Sequence, residues 1–196
     1  MSAVPKRMLT PAEYLAIERA AEFKSEFYAG EMFAMAGASL SHIRAKDNLA
    51  RHLGNKLQNG PCVALTSDLR VTVPRTRFYT YPDIVVVCGE PEFEDDHQDI
   101  LVNPTVIVEV LSPSTQSYDR GAKLRQYRQI LSLREYILVE QEEPVIEQLV
   151  LLPNGKWEQT IITGLESSLI LSAVAAEIPL RDIYAGVKFP EKPPRG

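Results

Sequence analysis

Two stretches of the chain are apolar at almost every position, and each is interrupted by a single acid. Residues 81–88 read Y-P-D-I-V-V-V-C and residues 105–111 read T-V-I-V-E-V-L. Both are rich in β-branched residues, so each predicts a strand buried on both faces. Side chains alternate along a strand, which puts Glu109 on the face of Ile107 and Leu111, and Asp83 on the face of Val85 and Val87. An unpaired carboxylate in such surroundings costs several kcal/mol or takes up a proton. Two retained carboxylates therefore point to a cation held between them by hard oxygen ligands.

The remaining pattern supplies the frame. Thr10-Pro11-Ala12-Glu13 is a helix start, with a cap, a proline at the first position and an acid at the third, and the helix runs to about residue 21. Residues 25–28 and 31–35 flank Ala29-Gly30 as a hairpin. Ser39 or Ser41 caps a second helix reaching about residue 57, its apolar stripe made by Leu49, Leu53 and Leu57, and Gly60-Pro61 ends it. Strands are expected at about 62–66, 69–73, 84–88 and 106–111, a helix at 119–130 capped by Asp119, and strands at 136–140, 146–152 and 157–162 around the Asn154-Gly155 turn. Residues 190–196 form a proline-rich tail. Helix, strands, helix, strand is a mixed α/β (α+β) order, a central sheet covered by helices, and no linker divides it, so one domain is expected over 1–196.

Composition changes this picture little. The 196 residues are 45% hydrophobic and 24% charged, as in ordinary globular chains. No stretch approaches the ~20 apolar residues of a membrane span, and the first residues lack the apolar core of a secretory signal. Cys62 and Cys88, the two cysteines, are expected as buried free thiols in a reducing, cytoplasmic setting. The net charge of −5 argues at first against a nucleic-acid partner. However, residues 90–99 hold six acids and no Lys or Arg, and setting these aside leaves the remainder at +1. That block reads as a solvated loop.

Asp83 and Glu109 are 26 residues apart on strands consecutive in this order, and neighbouring strands usually pair, bringing both within reach of one ion. Lys123 lies one turn into the next helix and can lean back over the same spot. There it would pair the carboxylates and steady a water or a developing negative charge. By itself, each residue also has a bland role: an ion pair for Glu109, a strand cap for Asp83, a solvated helix lysine for Lys123. Asp68 is by default a turn aspartate, Glu31 a surface or supporting group, and His42 a supporting or substrate-contacting residue near a helix start. Glu26 is read with Glu31, Arg125 and Arg128 as a solvated helix face, and Tyr118 and Tyr127 as packing residues.

Pro82-Asp83 followed by Glu109 on the next strand resembles the PD-(D/E)XK nuclease superfamily. Y-P-D-I-V-V-V, P-T-V-I-V-E-V-L-S-P-S-T, D-R-G-A-K-L-R-Q-Y-R and L-R-E-Y-I-L-V together resemble its Uma-two family, and E-F-Y-A-G-E, S-H at Ser41-His42, S-D-L-R-V and I-P-L-R-D-I-Y extend the likeness over nearly the whole chain. The resemblance implies a restriction-endonuclease-like core of order αβββαβ, Mg²⁺ (or Mn²⁺ in its place) held by Asp83, Glu109 and the Val110 carbonyl, and hydrolysis of nucleic-acid phosphodiesters, DNA ahead of RNA. By analogy it also implies a homodimer. The superfamily's usual lysine would fall at Leu111, so the catalytic lysine is expected at Lys123. Two rivals remain at this point. One is a nuclease-derived binding module that keeps the fold with little activity. The other is a glycoside hydrolase using the two carboxylates as acid and nucleophile.

Overall fold

The computed structural model describes residues 7–66 and 68–190. Apart from Pro190, the proline-rich stretch lies outside the described residues. The N-terminal helix α1 (Pro11–Ala20) starts on the expected capping box, with reciprocal bonds between Thr10 and Glu13. The hairpin β1 (Ser25–Tyr28) and β2 (Glu31–Ala34) turns through Ala29 and Gly30, both at positive φ. A Cβ on Gly30 would come within 2.9 Å of Met8, so the turn is closed to larger residues there. Helix α2 (Leu40–Leu57) is capped by Ser39, whose side chain accepts from the His42 amide.

The strands that follow are β3 (Cys62–Thr66), β4 (Arg70–Val73), β5 (Phe78–Thr80), β6 (Ile84–Cys88), β7 (Ile100–Leu101) and β8 (Val106–Leu111). A helical segment then runs through α3 (Gln116–Tyr118), a π-helical turn (Asp119–Lys123) and α4 (Leu124–Tyr127). The chain ends with β9 (Glu135–Glu140), β10 (Val145–Leu151), β11 (Trp157–Thr163), β12 (Ser168–Leu171), β13 (Ala176–Pro179) and α5 (Leu180–Ile183).

The main sheet has the order β11-β10-β9-β8-β6-β3, with β8 and β9 parallel and the other pairs antiparallel. Within it, α2, β3, β6, β8, the helical segment and β9 give the expected αβββαβ order. The sequence reading had one central sheet. The structure adds a second, β2-β1-β5-β4-β7, and a small β12-β13 pair. The strands β5 and β7, three and two residues long, are too short to show a period of their own.

Strand alternation divides the core as expected. Val106, Val108 and Val110 face the Ala45, Leu49 and Leu53 stripe of α2. Ile107 and Leu111, with Val85 and Val87, face the other way, against Tyr127, Tyr136 and the second sheet's Val71, Val73 and Phe78. Glu109 therefore points into an apolar layer between two sheets and a helix. Among the described residues, no helix is long and apolar enough to cross a membrane.

Two expectations are corrected. The acidic stretch is not simply solvated: Arg19 bonds Asp95 and Asp99, buried Arg70 bonds Asp99, and Tyr79 donates to Glu94. Cationic groups from α1 and β4 thus tie this loop to the second sheet. The cysteines are not free either. Cys62 and Cys88 face each other across the antiparallel β3–β6 pair, with Cα atoms 3.9 Å apart, and form a disulfide. The free-thiol ground for a reducing compartment goes with them. Thiol titration of the unfolded, unreduced protein should find no free cysteine. Cys62→Ser with Cys88→Ser should lower stability by about 2–4 kcal/mol through the freed loop. Two titratable thiols in the unreduced protein would contradict the bond.

Candidate active site

The last ladder pair of β6 and β8 is Ile84 with Val108. Continuing that register by one residue sets Asp83 opposite Glu109. Directly opposed side chains on antiparallel strands share a face at about 5 Å between Cβ atoms. Asp83 lies in the bend just before β6, and its bond to the amide that follows Glu109 keeps the two acidic residues beside each other. Asp83 is fixed on both oxygens: Oδ2 accepts from the Val110 amide at 2.8 Å, and Oδ1 lies 3.0 Å from His42 Nε2. The N–H and C=O of one residue in an extended strand point the same way, so the Val110 carbonyl also faces the Asp83 side.

Lys123 reaches this place from the helical segment. Its Nζ lies 2.9 Å from Glu109, 2.9 Å from Glu26 on β1 and 3.7 Å from Asp119. All four side chains are at most 10% exposed. A π turn spaces backbone more widely than an α turn and often marks a functional position. Asp119 and Lys123 open and close this turn, four residues apart on one face, and both are buried. Tyr127 Oη donates to Glu109 at 2.8 Å, Thr80 Oγ1 donates to Glu26, and the Tyr118 ring lies under the ammonium at 5.9 Å.

Burial pushes the Glu109 carboxyl up to about 8, with the Lys123 ammonium opposing and Asp119 and Asp83 adding to the rise. Burial also raises Asp119. For Lys123, burial alone would favour the neutral amine, but Glu109, Glu26 and Asp119 hold its pKa well above the ordinary value. The lysine stays charged, with three acidic groups gathered around its one ammonium.

Of the residues singled out in the sequence, Asp83, Glu109, Lys123, Val110 and His42 come together. Asp68 does not: its side chain is 90% exposed and pairs with Lys24. Glu31 opens β2 opposite Tyr28, on the same hairpin face as Glu26 but one step nearer the turn. Asp119, expected as a helix cap, is the participant that sequence reading missed, while Glu26, expected as a surface or supporting group, lies inside the cluster. Arg120 is tied to Glu140 and Glu147 beside the helix, and Arg128 lies over Trp157 at 5.7 Å.

Among the described residues, no three His, Cys, Asp or Glu side chains already surround one point as metal ligands do. The ammonium of Lys123 neutralises part of that charge instead. The donor types nevertheless fit a divalent cation: two carboxyl groups, a carbonyl aimed at the same side, and more acids than the lysine can pair.

A six-stranded mixed sheet, flanked by α2 and the helical segment and carrying paired acids with a lysine on one face, defines a restriction-endonuclease-like protein. Residues 11–181 match the Uma2 family, described as "Putative restriction endonuclease", and the chain belongs to that family. Two Synechocystis proteins are similar. The "Uncharacterized protein sll1609" is 37% identical over 158 residues, covering 81% of this chain and 89% of its own length. The "Uncharacterized protein slr1290" is 34% identical over 187 residues, covering 94% and 96%. A crystal structure of "a putative nuclease belonging to DUF820" from Anabaena variabilis superposes with a TM-score of 0.75 at 16% identity. It covers 92% of this chain and 99% of the other, a likeness of fold.

Between pH 4.5 and about 8 the folded protein holds a proton at Glu109 that the unfolded chain has released. The unfolded state binds fewer protons in this window, so stability falls as pH rises through it. Asp119 and Glu135, also raised by burial, add in the same direction. Glu109→Gln should flatten the decline without removing it. Denaturant unfolding at pH 5 and pH 8 checks this, and an unchanged slope in Glu109→Gln would contradict the burial of that charge.

Proposed function

We propose that the protein is a divalent-metal-dependent nuclease acting on nucleic-acid phosphodiesters, with DNA as the first substrate to test. The observation that carries this reading is that Asp83, one residue before the Ile84–Val108 pair, accepts from the Val110 amide next to Glu109, with a buried lysine from the next helix against Glu109. Asp83, Glu109 and the Val110 carbonyl would hold Mg²⁺ or Mn²⁺. Such an ion supplies an activated water and offsets charge on a phosphate.

The chain's own groups divide the remaining work by depth. Asp83 and His42 side chains are 16% and 13% exposed, whereas Lys123 and Glu109 are 5% and 6% exposed. A phosphate therefore arrives on the Asp83 side, with the lysine behind it. There the ammonium can orient a water and counter the negative charge that gathers as the bond breaks. Glu26 and Asp119 position that ammonium, and Tyr127 fixes the free rotation of Glu109 by donating to Oε1. No histidine is needed as base. A binding module without activity is the second reading, favoured by the full engagement of Lys123 with carboxylates.

Wild-type protein with Mg²⁺ or Mn²⁺ should cut plasmid or single-stranded DNA, and Asp83→Ala should abolish cleavage. Lys123→Ala alone is a poor probe. It strands buried acids and should cost about 3–5 kcal/mol of stability. Lys123→Met with Glu26→Gln removes an acid together with the ammonium, and should keep the fold while cutting the rate by ~10²-fold. No cleavage of DNA or RNA by wild type with either ion would favour the binding module.

A further inference from the structure

We propose that His42 is itself a ligand of the site's divalent cation, and that it makes the site prefer Mn²⁺ to Mg²⁺. This rests on the metal site proposed above. Asp83 Oδ2 is committed to the Val110 amide, so Oδ1 is the oxygen Asp83 can offer an ion. The nitrogen 3.0 Å from that oxygen is His42 Nε2. Metal–ligand bonds of about 2.1 Å set at right angles put neighbouring donors about 3 Å apart. The His42–Asp83 spacing is thus an edge of a coordination polyhedron as well as a hydrogen bond.

The imidazole is placed rigidly. His42 occupies the first turn of α2, its amide bonded to the Ser39 cap, and the Ser39 hydroxyl is tied in turn to Gln141 beyond β9. One turn further, Ala45 is fully buried against the sheet. The ring is therefore carried by a helix that cannot shift without disturbing the core. To ligate, His42 takes the neutral form with its proton on Nδ1, so that the Nε2 lone pair faces the ion. One nitrogen among the oxygens of Asp83, Glu109 and Val110 disfavours Mg²⁺, which is bound through oxygen. It favours a first-row transition ion that accepts both donor types.

Pulsed EPR of Mn²⁺ bound to the full chain reads the ligand directly, because a coordinated imidazole couples its ¹⁴N nucleus to the electron spin. Wild type should show this coupling and bind Mn²⁺ at least tenfold more tightly than Mg²⁺. His42→Gln should still bind Mn²⁺, lose the coupling, and narrow the Mn²⁺ preference by roughly tenfold or more. Mn²⁺ bound in a Glu109-dependent way without nitrogen coupling would overturn His42 as ligand and leave the metal site standing. Coupling that survives in His42→Gln would assign the nitrogen to His52 or His97, and would overturn it equally. Absence of any Mn²⁺ binding that Glu109→Gln abolishes would overturn the metal site and this inference together. Should His42→Gln fail to fold, the wild-type spectrum and the Mn²⁺ to Mg²⁺ ratio still decide.

Discussion

One buried ammonium organises this molecule. Lys123 lies between Glu26 and Glu109, with Asp119 a turn away on its own helix. Three acids in an apolar layer would each cost several kcal/mol alone, and a single lysine relieves only part of that cost. The pair it makes with Glu26 also joins the N-terminal sheet to the helical segment, and the pair with Glu109 joins that segment to the main sheet. The two sheets and the helix thus meet through one charge.

Everything near that charge serves to hold it. The π turn presents Asp119 and Lys123 inward together, and Tyr136 Oη donates to the Asp119 carbonyl at 3.2 Å from the strand beneath. Tyr127 and Thr80 donate to the same Glu109 and Glu26 oxygens that Lys123 pairs with, and so hold both carboxyl groups in place around the ammonium. A site assembled this way is preorganised and holds more acids than one lysine can pair. On the metal-dependent reading proposed above, a bound cation would offset the charge that Glu109 acquires when it gives up its proton. The proposed metal and the lysine are in this sense partners more than competitors.

Much of this was readable in the chain. Asp83 and Glu109 stood out because strand alternation set them with Val85 and Val87 and with Ile107 and Leu111, and those four apolar residues do pack into one layer. The helix stripe of Leu49, Leu53 and Leu57 was equally plain, since period and burial coincide there. Glu26 was not readable: its strand is four residues long, and its burial depends on a second sheet built from β5 and β7, which carry no periodic signal. Asp119 looked like a helix cap because a π turn leaves no mark in composition. The acidic loop looked solvated because its partners, Arg19 and Arg70, come from remote elements. The cysteine pair depended on register, and one residue of slip would have parted the two thiols.

Anomalous scattering from a crystal soaked in Mn²⁺ tests the central claim most directly. A peak between Asp83 and Glu109, within about 2.2 Å of the Val110 carbonyl oxygen, is the expected result. Mn²⁺ bound elsewhere, with Lys123 still closing the gap between Glu26 and Glu109 and no density at Asp83, would contradict it.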